Sequence, residues 1–211
     1  MLERIRVSCA TLCRIEHGGR YLLLLNANRR EKGIYILSPI GGALMYHDRD
    51  RLDEFSAVPE DPAKTDLRLT MPVTMIPAFR EWFYSGQGRE LSPYRELHEE
   101  LVCESQLLPA LEPDDVECHY LWTVEEKTFT MRQGQTGMLT HYFLEIYEVL
   151  FKSSAALGPL LAPPSESGAV WVTAEQIEQR VTLSLPIDGQ DRNTTVNGYL
   201  LLHPLPPQET E

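Results

Sequence analysis

Residues 92–102, SPYRELHEELV, read as a short helix whose two sides make opposite demands on their surroundings. Ser92 stands where a helix cap is needed, and Pro93 takes the first helical position, where its missing N–H costs nothing. Glu96, Glu99 and Glu100 then fall at i, i+3 and i+4 and share one face. Leu97 and Leu101 point the other way, with Tyr94 between them in projection. The leucines need an apolar layer to lie on. The glutamates need positive charge, because like charges at this spacing repel. Arg95 can pair with Glu99 four residues on. A divalent cation is the second candidate, since Mg²⁺ prefers hard carboxylate oxygens. A solvated acidic face is the plainer reading of an isolated E-x-x-E-E, so the rest of the chain has to decide.

The chain has 211 residues, enough for a full core in one large domain or two small ones. Hydrophobic residues make up 43% and charged residues 24%, as in an ordinary globular protein. The net charge of −12 argues against a nucleic-acid partner, which needs a basic surface. It leaves room for small phosphorylated ligands, because a bound metal can bridge two sets of negative oxygens. No stretch reaches the length of a membrane span, and MLERIRVSCA lacks the basic-then-apolar pattern of a signal peptide. A cytoplasmic protein without a membrane partner is expected. Cys9, Cys13, Cys103 and Cys118 contain no C-x-x-C pair, and Cys9 and Cys13 fall on one strand face. Buried free thiols are expected over a zinc site.

IRVSCATLCR, an EHGGR turn and the apolar run YLLLLNA predict a hairpin over residues 5–27. NRREKG reads as a basic loop, and IYILSPIGGAL as a strand running into Pro39 and the Gly41-Gly42 pair. Residues 45–88 begin polar and broken by Pro59 and Pro62. They continue with a strand, DLRLTMPVTM, and an amphipathic helix, PAFREWFYS, that buries Phe79, Trp82 and Phe83. After the acidic helix, DDVECHYLWTVEEKTFTMR predicts one or two strands, QGQTG a turn and HYFLEIYEVLF a strand. ALGPLLAPPSESG reads as a proline-rich loop. WVTAEQI is a strand passing into a helix capped by Thr173, TTVNGYLLLH a short C-terminal helix, and residues 204–211 a tail. No repeat or linker is visible. An α/β fold in one domain over residues 1–203, a mixed sheet flanked by helices, is expected.

With these elements in this order, the chain resembles the Nudix hydrolase family, whose signature is G-x5-E-x7-R-E-U-x-E-E-x-G-U with U bulky and apolar. Arg95-Glu96-Leu97-His98-Glu99-Glu100 matches R-E-U-x-E-E at every defined position. The opening hairpin, the strand ending in Pro39-Ile40-Gly41-Gly42 and the WVTAEQI element agree with the family's α+β fold, a mixed sheet sandwiched between helices. More narrowly, N-A-N-R-R, S-P-I-G-G-A-L and the long insert before R-E-L-x-E-E-L resemble the SMODS-associated Nudix domain of bacterial conflict systems built on nucleotide second messengers. Three departures stand out. The segment between Gly42 and Arg95 carries an insertion of roughly forty residues, far beyond an ordinary connection. The position of the front glutamate holds Gln87, and Glu90 takes its place only in a gapped alignment. Val102 replaces the glycine after E-E-x, so the helix is expected to run on.

The resemblance implies hydrolysis of a phosphoanhydride bond in a nucleotide-derived compound, with Mg²⁺ (or Mn²⁺) held by Glu96, Glu99 and Glu100. Glu99 and Glu100 would be the principal ligands, Glu96 a supporting one, and Arg95 would orient Glu99. The Gly41-Gly42 backbone can approach a metal or phosphate closely, and Arg29 and Arg30 can hold a substrate phosphate. A strand-ending turn and a solvated basic loop are the plainer readings of those residues. Candidate bases are Glu90, Glu125, Glu126 and Glu166. Trp82 or Tyr84 can stack on a nucleobase, although core packing is the favoured role of the insert's aromatics. The implied partner is a nucleotide-type small molecule, and a homodimer is compatible. The alternative function is a sensor that binds a nucleotide signal without turnover and reaches a partner through the insert. Three aligned carboxylates favour the enzyme; the displaced front glutamate and the insert favour the sensor.

Overall fold

A computed structural model of the chain describes residues 3–130 and 137–204. The elements run β1 (Arg4–Arg14), β2 (Glu16–His17), β3 (Arg20–Leu25), α1 (Ala27–Arg30) and β4 (Ile36–Ser38). The insert supplies α2 (Arg49–Glu54), β5 (Val58–Pro59), β6 (Arg68–Pro72) and α3 (Ile76–Ser85). Then come α4 (Tyr94–His98), β7 (Val116–Phe129), β8 (Leu139–Phe151), α5 (Ser154–Leu161), β9 (Ala169–Thr173), α6 (Ala174–Glu178), β10 (Thr182–Ile187) and β11 (Gln190–Val196).

β1 is built to be a central strand. Ile5, Val7, Cys9, Thr11 and Cys13 on one face are buried, and so are Arg6 and Ser8 on the other. Such a strand needs cover on both faces and partners on both edges. It pairs in parallel with β8 and antiparallel with β6, in a sheet of order β5-β6-β1-β8-β7. A second sheet has the order β10-β11-β4-β3-β2, with β9 also paired to β3. The fold is therefore α+β, with two mixed sheets where one was expected. The predicted hairpin of residues 5–27 is reduced to its tip, Glu16 opposite Tyr21 and His17 opposite Arg20. Beyond the tip the strands part, because β1 finds a longer ladder on β8 and β3 finds its own on β9.

Other expectations are met or corrected locally. Thr173 caps α6 as predicted, its hydroxyl accepting from Gln176 N and its N–H donating to the Gln176 side chain. NRREKG is not wholly a loop: Asn26 accepts from Arg29 N at 3.1 Å and caps the short α1. ALGPLL, read as loop, lies in α5, capped by Ser153. The predicted C-terminal helix is instead β11, whose β-branched Thr194, Thr195 and Val196 suit a strand, followed by a 3₁₀ turn at Tyr199–Leu201. The QGQTG turn falls mostly on residues 131–136, outside the described residues, as do residues 205–211 of the tail.

The insert is woven into the first sheet. β6 pairs with β1 from Arg4 opposite Pro72 to Ser8 opposite Arg68. α3 buries Phe79, Trp82 and Phe83, as its pattern predicts. Phe79 is fully buried and meets Phe55, Trp82 and Phe143 with ring centroids 5.6, 5.3 and 5.7 Å away, so it joins the insert to β8. Truncating it removes a large apolar group that the surroundings cannot easily refill. Phe79→Ala is expected to destabilise the fold by about 3–5 kcal/mol in chemical denaturation. A loss below about 1 kcal/mol would show that the insert melts apart from the sheet.

Candidate active site

The acidic helix sits as its pattern requires. Leu97 and Leu101 are fully buried, which turns Glu96, Glu99 and Glu100 to the other side. The start is one residue later than predicted: Pro93 occupies the cap position, and Ser92 Oγ accepts from Tyr94 N at 3.2 Å. Past His98 the helix runs on, as Val102 implies, but as a π-helical turn over Glu99–Glu104. Such turns are wider than an α-helix and cluster at functional sites. Here the turn leaves Glu104 near enough to repel Glu100.

Arg95 holds the group together. Its guanidinium donates to both oxygens of Glu99 at 3.2 Å, lies 2.8 Å from Glu96, and gives a further bond to Ala43 O at 2.7 Å. Its strongest grip is on a residue outside the E-x-x-E-E pattern. Glu90 takes Nε and Nη2 together at 3.1 and 3.0 Å, the bidentate geometry that suits arginine. Glu90, not Gln87, thus stands on the arginine. Its signal was present in the sequence, but only across a gap. Burial works against the charge on Arg95, and the surrounding carboxylates outweigh it, raising its pKa.

Two glycines form the opposite wall. A Cβ on Gly41 would lie 2.0 Å from Thr11 O, and its φ of +152° is itself unfavourable to side chains. A Cβ on Gly42 would lie 2.2–2.5 Å from the Glu96 carboxylate. Gly41 N donates to Glu100 at 2.9 Å. Burial pushes Glu96 and Glu100 upward, Glu100 to about 8; at Glu100 it overcomes the opposing Gly41 bond, and the neighbouring Glu96, Glu104 and Glu99 add to the rise. Beside this wall lies a cavity of about 320 Å³, bounded by Gly41, Glu100, Glu104, Asn26, Arg30 and Glu166 among others.

Residues 4–187 match a family sequence profile described as the SMODS-associated NUDIX domain. The chain belongs to this family. No curated protein matches it. Within this Nudix domain, the predicted site residues separate as follows. Arg95, Glu96, Glu99, Glu100, Gly41 and Gly42 come together, and Arg30 reaches the cavity while bonded to Asp188. Arg29 does not line that cavity. Of the candidate bases, Glu90 is committed to Arg95. Glu125 is bound by His141, Tyr84 and Arg80, which overcome its burial and hold its carboxyl down at about 2. Glu166 lines the cavity with Glu100. Trp82 is packed in the core, not offered to a base.

The donor chemistry fits a hard divalent cation: oxygen ligands, close glycine backbone, and a carboxyl whose burial, with acidic neighbours, disfavours its charge until positive charge arrives. Glu99 and Glu100, with Glu96 behind them, are the side chains that could hold one. Among the described residues no three such side chains already converge on a point, because Glu96 and Glu99 are turned to Arg95 and Glu100 to Gly41.

The raised pKa of Glu100 has a measurable sign. The folded chain keeps this proton up to about pH 8, the open chain only to the ordinary value of 4.5. Metal-free protein is therefore expected to be most stable at low pH with respect to this group, losing stability between about pH 5 and 8. Glu100→Gln should melt with a flatter pH profile across that window. Parallel profiles for the two proteins would show that Glu100 is an ordinary carboxylate.

Proposed function

We propose that the chain is a Mg²⁺-dependent hydrolase of a phosphoanhydride bond in a nucleotide-derived compound. The observation that carries this reading is the placement of Glu100, from an intact R-E-L-H-E-E, against Gly41 at the wall of a cavity that also holds Glu166. Bound Mg²⁺ supplies charge neutralisation on the phosphate oxygens, the main electrostatic need of the reaction. Glu99 and Glu100 hold it, supported by Glu96, and Arg95 fixes the orientation of Glu96 and Glu99. Glu166, facing the cavity without the commitments of Glu90 and Glu125, takes the proton of the attacking water. Arg30, steadied by Asp188, offers positive charge to the neighbouring phosphate. No aromatic ring lines the cavity among the described residues, so the grip falls on phosphate and sugar, not on base stacking. The family's link to nucleotide second-messenger systems puts such signals, in a bacterial defence setting, first among the compounds to try.

A second reading, binding without turnover, draws on the carboxylates being turned away from a common point among the described residues. Turnover of a panel of nucleotide diphosphates and cyclic nucleotides with Mg²⁺ or Mn²⁺, beside calorimetric Mg²⁺ titration, separates the two. Glu100→Gln is expected to lower hydrolysis by orders of magnitude while the fold survives, since each 1.36 kcal/mol of lost transition-state stabilisation costs about tenfold. Glu166→Gln should lower kcat with Mg²⁺ affinity kept. Metal-dependent ligand binding without turnover in wild type would establish the sensor. Absence of both Mg²⁺ binding and metal-dependent ligand binding would reduce the acidic face to a solvated helix.

A further inference from the structure

Behind the site lies a buried ion pair that the chemistry above does not use. Arg89 and Glu145 have side chains only 3% and 4% exposed, and they meet through Nη2–Oε1 at 2.7 Å and Nη1–Oε2 at 3.2 Å. A buried pair is weak evidence for stability, since apolar groups of similar volume often serve the fold as well or better. The remaining bonds of this pair are more informative, because they go to main chain. Arg89 Nε donates to Phe83 O at 2.7 Å, at the end of α3, and the guanidinium lies 4.0 Å from the centre of the Phe83 ring. Arg89 Nη1 donates to Glu90 O at 2.9 Å. Tyr147 OH, within 3.2 Å of Glu145, also bonds to Leu91 O at 2.9 Å. The backbone is thus tied at Glu90 and Leu91, and through Arg89 to Phe83 at the end of α3. On its far side Glu90 N donates to Met45 O at 2.8 Å, and Met45 N returns a bond to the Glu90 carboxylate at 3.1 Å. Glu90 in turn carries Arg95.

We infer that Arg89 and Glu145 are positioning residues for Arg95, acting through Glu90, and that through them the insert sets the geometry of the carboxylate face. A side chain anchored on two sides of its own backbone has little freedom to follow the repulsion among Glu96, Glu99 and Glu100. Arg95 therefore stays bidentate on Glu90 and keeps Glu96 and Glu99 from collapsing onto or springing away from each other. Charge alone does not do this. A lysine at position 89 keeps the ion pair but cannot bond Phe83 O, Glu90 O and both oxygens of Glu145 together, because it lacks the planar fork.

The inference rests on the hydrolase reading for its Mg²⁺ and kinetic arms only. Its first test is the Nε–Hε resonance of Arg95 in metal-free protein labelled with ¹⁵N-arginine, assigned with Arg95→Lys. In Arg89→Lys this resonance is expected to shift and broaden, with Mg²⁺ affinity weakened by about 10–100-fold, as for other residues that orient ligands from behind. Under turnover, kcat should fall while KM holds. The double variant Arg89→Met/Glu145→Leu separates positioning from packing. It is expected to resist denaturant nearly as wild type does, yet show the same change at Arg95. An unchanged Arg95 resonance with unchanged Mg²⁺ affinity in either folded variant overturns the proposal, and so does failure of both variants to fold, which assigns the pair to stability. A wild-type protein that hydrolyses nothing sinks the proposed function, while the metal-free resonance still decides this inference.

Discussion

One guanidinium makes the rest of the site possible. Glu90, Glu96 and Glu99 all lean on Arg95, and without it a helix of a few turns would carry their mutual repulsion through a partly buried space where water screens poorly. The leucines beneath fix the helix to the core, and the arginine above fixes what the helix displays. Glu100 is the exception. It is held by a backbone N–H, in a place where burial and its acidic neighbours disfavour its charge. The face is divided, with one part already neutralised by protein and one part left for something else to neutralise.

The insert changes meaning once it is seen with this face. It lengthens the signature by roughly forty residues, which on connection lengths alone marks a functional or irregular segment. It is neither irregular nor appended. β6 extends the sheet beside β1, α3 packs its aromatics on Phe143, and the segment ends by delivering Arg89 and Glu90 to the site. The departure from the family pattern at Gln87 and the insertion are thus one event: the residue standing on Arg95 arrives from the far end of the extra chain.

Local features were legible in the sequence and long-range ones were not. The opposed faces of SPYRELHEELV, the buried aromatics of PAFREWFYS and the Thr173 cap depend on spacings within a turn or two, and each holds in the fold. The partition of β1 and β3 between two sheets depends on β8 and β9, distant in the chain, so the strands looked like an ordinary hairpin. β10 and β11 went unread although Asp188-Gly189 between alternating runs is a strong turn signal. There, the adjoining apolar run YLLLH resembles the buried side of a short helix. Glu90 lay hidden because its partner is defined by where a gap falls, and Arg89 because a lone arginine beside a glycine says nothing about what surrounds it.

The pairing of β1 with β8 also governs when the site can exist. Residues 6–14 lie beside residues 140–148, so β1 leaves the ribosome long before its parallel partner appears. Ladders of such long sequence separation close slowly. Thr11 N donates to Gly42 O, and Gly41 in turn lies against Thr11, so the glycine wall takes its final place only when β1 does. The carboxylate face and its glycine wall consequently come together only once β8 has emerged, and a nascent chain that stops short of β8 displays the acidic helix without its wall.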